Sequence, residues 1–438
     1  MKTPIIDFIK KYNAKKPIRL HMPGHKGKGF LGKFDITEIN GADVLYSPSG
    51  IILQSENNAT SLFNTAHTFY SCEGSTLCIK AMLHLVTKGV KDPVIIATRN
   101  SHIAFLNACV LLGIKVVWLY GQRDTLCSIK FDLQELETAL LTNPNACGVY
   151  LTSPDYLGYI SPIKEISKIC KNKHISLLVD NAHASYSAFL KDNFHPISLG
   201  ADLVCDSAHK TLPTLTGGAY LHVSKTCPTN LLDNARNALK LFASTSPSYL
   251  ILQSLDYTNL YLKNNLDKFN VLADKITKLK LELFNNGYNI ISGEPFKIVI
   301  NISDYGYTKN EFYTHLQKFK IEPEMIENDY SVFMFSTNNT NKDLKTLKKA
   351  LLTLPKKTKI EKQQLNFVRT KQVLSIRTAC LKDSREILVD NAEGSICSQS
   401  IVTCPPAIPI IISGELVTKE IIELLKYYDV KTIQVVKN

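Results

Sequence analysis

The feature that most constrains the fold is a regular alternation of short apolar runs and helical patterns between residues 94 and 223. The apolar runs are rich in β-branched residues, and such runs are typical of buried strands. Strands that alternate with helices predict an α/β domain with a mainly parallel sheet, in which ligands bind at the carboxyl ends of the strands. The predicted strands are Val94 to Ala97, Lys115 to Leu119, Gly148 to Leu151, Ile175 to Val179, Leu203 to Cys205 and Ala219 to Val223, with helices near 102–112, 133–141 and 162–171.

The rest of the sequence predicts three further parts. The stretch H-M-P-G-H-K-G at 21–27 is too rich in Gly and Pro for the interior of a helix or strand, so it is expected in a loop of an N-terminal arm. Ser246-Pro247 opens a long helical pattern that runs from Tyr249 to about Phe284. The predicted boundaries are 1–40 for the arm, 41–245 for the large domain, 246–289 for the connecting helical segment and 290–438 for a smaller C-terminal α+β domain.

The composition excludes several classes of protein. With 45% hydrophobic and 21% charged residues among 438, the chain has the balance of a folded globular protein. It lacks a run of about 18 apolar residues, and its N-terminal stretch lacks the apolar centre of a secretory signal. Eleven cysteines without a C-x-x-C pair indicate reduced thiols rather than a zinc site. We therefore expect a cytoplasmic protein without disulfides, a membrane partner or a bound metal.

The net charge of +12 is compatible with a nucleic-acid partner, an anionic substrate or a lysine-rich surface. The lysines are spread along the chain, and arginines, which are better at reading phosphates and bases, are few. We therefore expect no nucleic-acid partner and look for a small-molecule site.

Three chemical groups occur in an order typical of a pyridoxal 5′-phosphate (PLP) pocket. Gly74-Ser75-Thr76 opens a helical pattern, and hydroxyls with backbone N–H groups at a helix start can hold a phosphate. Asp180 follows a buried strand and could keep a proton on a pyridine nitrogen. Lys210 follows the next strand, where desolvation makes an amine available to attack a carbonyl carbon. A phosphate site, an acid and a lysine together fit PLP.

Each group also has a plainer structural interpretation. Ser75 and Thr76 at a helix start are commonly only an N-cap. An Asp at a strand end commonly caps the next turn, and a lysine that follows a histidine is commonly exposed. The fragment H-K-T imitates the end of a nucleotide-binding P-loop, but the Gly before the lysine and the Gly five residues earlier are missing, which excludes the P-loop. An N-cap, a turn cap and an exposed lysine are all compatible with these residues taken alone.

Across nearly its whole length, the chain resembles the short form of the Orn/Lys/Arg decarboxylase family of fold-type-I PLP enzymes. The resemblance implies a fold-type-I PLP-dependent transferase-like large domain. The matching stretches are T-P-I-I-D-F-I (3–9), H-M-P-G-H-K-G (21–27), D-I-T-E-I-N-G (35–41), E-G-S-T (73–76), R-N-S-H (99–102), T-S-P-D-Y-L-G (152–158), V-D-N-A-H (179–183), G-A-D-L-V-C-D-S-A-H-K-T-L (200–212), S-T-S-P-S-Y-L (244–250) and C-P-P-A-I-P (404–409).

The resemblance implies a role for each matching residue. Lys210 would form the Schiff base with PLP, Asp180 would pair with the pyridine nitrogen, and His209 would be a further active-site residue. The implied cofactor-binding residues are Gly74, Ser75, Thr76 and Ser207 at the phosphate, His102 stacked on the ring, Ala182 beneath the ring and His183 near the phenolic oxygen, together with Asp180 and Lys210.

Two of these histidines also fit a purely structural role. His102 could be only a residue at a helix start, and His183 could be a histidine of the core with its hydrogen bonds satisfied. The segment S-T-S-P-S-Y implies that Thr245 or Ser246 reaches the phosphate of a neighbouring subunit. A homodimer or higher homo-oligomer would then be the smallest complete enzyme.

The implied reaction is decarboxylation of arginine, lysine or ornithine to agmatine or a diamine plus CO2, as in polyamine biosynthesis. Lys210 or His209 would protonate the carbon that loses the carboxylate. A carboxylate of the protein should bind the cationic end of the substrate. The candidates, which the sequence does not rank, are Glu73, Asp155, Glu324 and Glu393.

Three positions depart from the pattern of the family. Asn181 stands where D-E-A-H-G-A-H has Glu, Gly217 replaces the usual Gln, and Asp155 stands where Thr is common. These departures are expected to alter substrate preference or proton delivery rather than cofactor binding. Two rival functions remain: another fold-type-I PLP reaction, such as transamination or elimination, and a catalytically degenerate PLP-binding paralogue.

Overall fold

The computed structural model describes residues 1–123, 125–361, 365–402 and 407–437. Its backbone contacts divide the chain into two compact units. The first unit contains Met1–Lys88 and Ile163–Val271, and the second contains Gly89–Pro162 and Leu272–Asn438. Each unit is therefore built from two separate stretches of the sequence. The domain boundaries predicted at residues 40, 245 and 289 do not coincide with this division and stay a prediction.

The elements of the first half of the chain, in sequence order, are α1 (Pro4–Ala14), α2 (Ile51–Phe63), β1 (His67–Ser71), α3 (Gly74–Thr87), β2 (Val94–Thr98), α4 (Ile103–Leu112), β3 (Lys115–Leu119), α5 (Leu133–Thr142), β4 (Ala146–Thr152), α6 (Ile163–Asn172), β5 (Ser176–Asp180), β6 (Leu203–Asp206), α7 (Ala208–Thr211) and β7 (Ala219–Val223). Those of the second half are α8 (Thr229–Phe242), α9 (Tyr249–Asn264), α10 (Leu266–Asn285), β8 (Asn289–Ile291), β9 (Lys297–Asn301), α11 (Lys309–Gln317), β10 (Met325–Ile326), β11 (Tyr330–Met334), α12 (Asn341–Leu352), α13 (Ile376–Leu381), β12 (Ser384–Leu388), β13 (Ile401–Val402), β14 (Pro409–Ile411), α14 (Lys419–Tyr427) and β15 (Thr432–Val436).

The strands of the first unit pair in the order β1-β7-β6-β5. β5 and β6 are parallel, whereas β7 runs antiparallel to both β6 and β1. Every residue of β6 and β7 is buried, as expected for strands covered on both faces. Phe63 of α2 packs on this sheet, with its ring centroid 5.3 Å from that of Tyr220 and 4.5 Å from that of His222.

The second unit combines two kinds of sheet. β2 lies between β3 and β4 and is parallel to both. The strands from the C-terminal part form an antiparallel sheet in the order β10-β11-β9-β8. Parallel strands with intervening helices, followed by a smaller α+β part, are the architecture that the sequence pattern predicts.

The long helix predicted from Tyr249 to Phe284 is in fact two helices, α9 and α10, separated at Asn265. The backbone of Asn265 has φ −134° and ψ 24°, which is not helical. Its side-chain Nδ2 donates to the carbonyl of Tyr261 at 2.7 Å, where a continuing helix would use the backbone N–H. Asparagine competes with the backbone in this way, and hydrophobic periodicity does not reveal it.

Two further expectations concern thiols and membranes. The ten cysteines among the described residues are free thiols, and Cys404 lies outside the described residues together with Pro405 and Pro406 of the C-P-P-A-I-P stretch. Within the described ranges, every helix is too short or too polar to cross a membrane.

Candidate active site

The carboxyl ends of β5 and β6 bring two of the predicted site segments to one edge of the sheet. The parallel register pairs Leu178 with Leu203, Val179 with Val204 and Asp180 with Cys205. β5 therefore ends at Asp180 one position before the end of β6. Because parallel strands end at the same edge, the residues that follow them lie next to each other.

Lys210 lies on α7, the short helix that directly follows β6. Its Nζ is 3.2 Å from Nε2 of His183, which belongs to the loop after β5. The lysine is thus one helical turn beyond the strand end where the sequence predicts it. This contact between an amine and an imidazole joins α7 to the loop after β5.

The carboxylate of Asp180 is buried at the end of β5. Its Oδ1 accepts a hydrogen bond from the backbone N–H of Ala182 at 3.1 Å and one from Sγ of Cys205 at 3.4 Å. The first bond is a turn cap of the kind that an Asp at a strand end commonly forms. Asp180 therefore stabilises its own loop, and its predicted role at a pyridine nitrogen stays a prediction.

The predicted phosphate-binding residues surround the start of α3. This helix begins at Gly74, and its N-cap residue, Glu73, makes no side-chain capping hydrogen bond. The first N–H groups of the helix are therefore not satisfied by a side-chain cap. Ser75 lies in this first turn, and its Oγ accepts a hydrogen bond from Oγ of Ser207 at 2.9 Å. Ser207 is the N-cap residue of α7, so this bond connects the α3 start to the helix that carries Lys210.

Two contacts hold the loop before α3. The N–H of Gly74 donates to the carbonyl of Gly217 at 2.8 Å, and Oε1 of Glu73 accepts the N–H of Ser244 at 2.7 Å. Gly217 has φ +94°, and a Cβ built on it would lie 3.0 Å from the carbonyl oxygen of Cys72. Gly217, one of the departures from the family pattern, is therefore required by its backbone conformation and by the closeness of its neighbours.

The proton position on His209 follows from its hydrogen bond. Its Nδ1 lies 3.0 Å from the carbonyl oxygen of Gly218, which can only accept, so Nδ1 carries the proton. Nε2 of the neutral ring is then the basic nitrogen. Burial and the nearby amine of Lys210 lower the pKa of His209 below its usual value. At neutral pH this imidazole is therefore neutral, with its one proton on Nδ1 and none on Nε2 to donate.

A buried cluster around Asp206, the last residue of β6, was not predicted from the sequence. Oδ1 of Asp206 accepts the Nδ2–H of Asn181 at 2.7 Å, and its Oδ2 is 3.1 Å from Nε2 of both His195 and His222. Two histidines and a carboxylate are also common metal ligands, and these three offer ligand atoms within 4.8 Å of one another. Here hydrogen bonds already join them. The only signal in the sequence was the departure at residue 181.

Two other expected site residues belong to the second unit. His102 is the N-cap residue of α4, and its Nδ1 accepts the N–H of Ala104 at 3.1 Å. Asp155 accepts hydrogen bonds from Oγ of Ser128 at 2.6 Å and from the N–H of Tyr159 at 2.9 Å. Burial raises the pKa of Asp155 to about 6. The stacking role of His102 and the substrate role of Asp155 stay predictions.

The other three candidate acids for the cationic end of the substrate also have partners. Glu73 accepts the N–H of Ser244, and Glu324 accepts the hydroxyl of Tyr156 at 2.8 Å. Glu393 is largely exposed and lies 4.0 Å from Nζ of Lys419. These contacts do not single out one carboxylate for the substrate.

Comparisons with known proteins decide the family. The family model of the Orn/Lys/Arg decarboxylase major domain matches residues 3–286. The protein belongs to this family. It is 27% identical to an arginine decarboxylase of Bacillus subtilis, over 95% of this chain and 92% of that one. It is also 27% identical to an arginine decarboxylase of Halalkalibacterium halodurans, over 95% of this chain and 91% of the relative.

Solved structures support the fold. The Escherichia coli constitutive lysine decarboxylase covers 100% of this chain at a TM-score of 0.81, with 15% identity and 82% of its own length matched. Lysine decarboxylase A from Pseudomonas aeruginosa covers 99% of this chain at a TM-score of 0.81, with 16% identity and 80% of its own length matched. These structures confirm the predicted fold. The match to the family confirms the predicted class, a PLP-dependent amino-acid decarboxylase.

The donor set in the first unit fits PLP. The N–H of Gly74 donates to Gly217, but the N-cap residue of α3 caps none of the following N–H groups, and the hydroxyls of Ser75 and Ser207 lie beside them. The primary amine of Lys210 and the buried carboxylate of Asp180 provide the two groups that an aldehyde and a pyridine nitrogen need. The phosphate, the aldehyde and the pyridine nitrogen of the cofactor therefore each have a group of suitable chemistry.

The conformation of Gly217 leads to a stability prediction. Gly217→Gln, which introduces the residue usual in the family, should lower stability by about 1–3 kcal/mol from the positive φ and by a similar further amount from the contact with Cys72. Gly89→Gln is the matched control, because Gly89 has φ +78° and nothing within 4 Å of a built Cβ. Urea unfolding of both variants measures the difference. Equal losses would contradict the role assigned to the contact with Cys72.

Proposed function

We propose that this protein binds PLP on Lys210 and decarboxylates a basic L-amino acid, with arginine the first candidate. The observation that carries the proposal is the parallel pairing of β5 and β6. It brings Asp180 and His183 to the same sheet edge as Lys210, whose Nζ is 3.2 Å from His183. Arginine comes first because four relatives that match 94% or more of this chain are named arginine decarboxylases.

PLP, when bound, supplies an electron sink for the electron pair of the breaking bond between Cα and the carboxylate. Lys210 would hold the cofactor through its amine, and the substrate amine would take its place there. The carboxylate of Asp180 would keep a proton on the ring nitrogen, and the protonated ring accepts the electron pair more readily. The α3 start, with Ser75, Thr76 and Ser207, binds the phosphate and fixes the orientation of the ring.

The proton that replaces CO2 on Cα is assigned to Lys210 rather than to His209. The Nδ1–H of His209 donates to the carbonyl of Gly218, and the lowered pKa disfavours a second proton on Nε2. His209 therefore has no proton on Nε2 to donate at neutral pH. The amine of Lys210, which would receive a proton from the ammonium group of the incoming substrate, would donate that proton to Cα.

A homodimer is part of the proposal. The segment with Thr245 and Ser246 is exposed in the single chain, and its neighbour Ser244 is bonded to Glu73 at the α3 start. The segment therefore lies at the surface close to the phosphate-binding residues. We assign the hydroxyl of Thr245 or Ser246 to the phosphate of the partner subunit.

The direct test of the reaction is an assay of CO2 and amine release with arginine, lysine and ornithine in the presence of PLP. We expect CO2 and one amine in equal amounts, with the highest rate for arginine and the product agmatine. A keto acid without CO2 would instead identify transamination. A yellow, PLP-loaded protein without turnover of any of the three amino acids would identify a degenerate paralogue.

The role of Asp180 leads to a second prediction. Asp180→Asn keeps an oxygen that can accept the N–H of Ala182 but loses the charge that holds the ring proton. Turnover should fall by about a hundredfold or more, while the visible absorption of bound PLP persists. Asp202→Asn is the matched control, because Asp202 is another buried carboxylate, one residue before β6, and accepts the N–H of Leu177. Comparable turnover of the two variants would contradict the assigned role.

A further inference from the structure

The carboxylate of Asp206 is fully buried. Asp206 directly follows Cys205, which pairs with Asp180 in the sheet, and it precedes Lys210 by four residues. An ionised carboxylate in such a place is stable only if hydrogen bonds replace its water. Asn181, His195 and His222 supply these hydrogen bonds, at 2.7, 3.1 and 3.1 Å. All three donors belong to the first unit.

The negative charge of this cluster belongs to Asp206. Nδ1 of His195 accepts the N–H of Ile197 at 3.3 Å, so the proton of the neutral ring is on Nε2 and points to Asp206. Burial lowers the pKa of His222, which favours its neutral form. Burial would raise the pKa of Asp206, but the two histidines hold it well below its usual range. The cluster is therefore one carboxylate with three neutral donors.

Asn181 is the member of the cluster that departs from the family pattern. Its Nδ2 donates to Asp206, and its backbone N–H donates to the carbonyl of Cys205 at 2.9 Å. A Glu at this position would bring a second carboxylate against Asp206 in a site without solvent. The amide at 181 and the carboxylate at 206 are thus complementary, and changing either one alone breaks the match.

The hydrogen bond between Asn181 and Asp206 connects the segment after β5 to the end of β6. Asn181 lies between Asp180 and Ala182, and Asp206 is followed by Ser207, which bonds to Ser75. A shift of Asn181 relative to Asp206 would therefore move Asp180 relative to Lys210. Displacements of about 1 Å in such supporting residues are enough to lower catalysis.

We propose that Asp206 is a positioning residue of this enzyme and that Asn181 is its obligatory partner, together holding the segment that follows β5 against the segment that follows β6. The cofactor-dependent part of this inference rests on the proposed function. The pair itself is a property of the protein without cofactor.

A double-mutant cycle tests the pair. Asn181→Asp places two carboxylates in contact, and Asp206→Asn removes the acceptor charge. In the combined variant the amide and the carboxylate exchange places: the amide oxygen of residue 206 can accept from both histidines, and its Nδ2 can donate to residue 181. Each single variant should lower the urea midpoint of the PLP-free protein, and the combined variant should recover most of the loss.

The holoenzyme gives the second readout. Each single variant should bind PLP about tenfold more weakly, the size typical of coupled contacting residues, and should change the visible absorption of bound PLP. The combined variant should restore both. Asp202→Asn, a buried carboxylate that contacts Leu177 rather than Asn181, should lower the urea midpoint and leave PLP affinity and the absorption band unchanged.

Each outcome has one meaning. Additive losses of stability would contradict the Asn181–Asp206 pairing. Recovery of stability with unchanged PLP affinity and absorption in all variants would show a packing contact and contradict the positioning role. If Asp206→Asn does not fold, Asn181→Ala removes the contact without adding charge, and unchanged PLP affinity would contradict the proposal. A wild-type protein that never acquires the PLP band would refute the proposed function, whereas the urea cycle would still decide the pairing.

Discussion

The parallel pairing of β5 with β6 is the constraint on which the rest of the site depends. It ends both strands at one edge of the sheet, so Asp180, the last residue of β5, and Lys210, on the short helix after β6, lie at the same edge although they are thirty positions apart in the sequence. The hydrogen bond from Cys205 to Asp180 joins the two strands, and the contact between Lys210 and His183 joins the segments that follow them. A local change that altered this register by one residue would turn each of these side chains to the opposite face.

Buried polar contacts also stabilise the edge of the sheet at which β5 and β6 end. Asp206 uses two histidines and one amide to remain ionised inside the sheet, and Gly74 is fixed by the carbonyl of Gly217. Both arrangements include a position that departs from the family pattern. Asn181 and Gly217 therefore each have a structural explanation in their neighbours in this chain.

Hydrophobic patterns predicted most of the α/β core, and the strands Lys115–Leu119 and Ala219–Val223 have the expected bounds. They did not reveal β1, because His67–Ser71 is short and partly polar and pairs with β7, about 150 residues later in the sequence. The motifs led to Lys210, Asp180 and the α3 start. The cluster around Asp206 could not be predicted, because His195 and His222 meet it only through tertiary packing. Neither residue belongs to a recognisable motif.

The central claim is that Lys210 is the lysine that holds PLP. Borohydride reduction of the PLP-loaded protein, followed by proteolysis and mass spectrometry, tests it most directly, because reduction fixes the cofactor permanently to the amine that carries it. We predict one phosphopyridoxyl group, on the peptide that contains Lys210, and none on that peptide in the Lys210→Ala variant. A label on another lysine, or a protein that takes up no label at all, would contradict it.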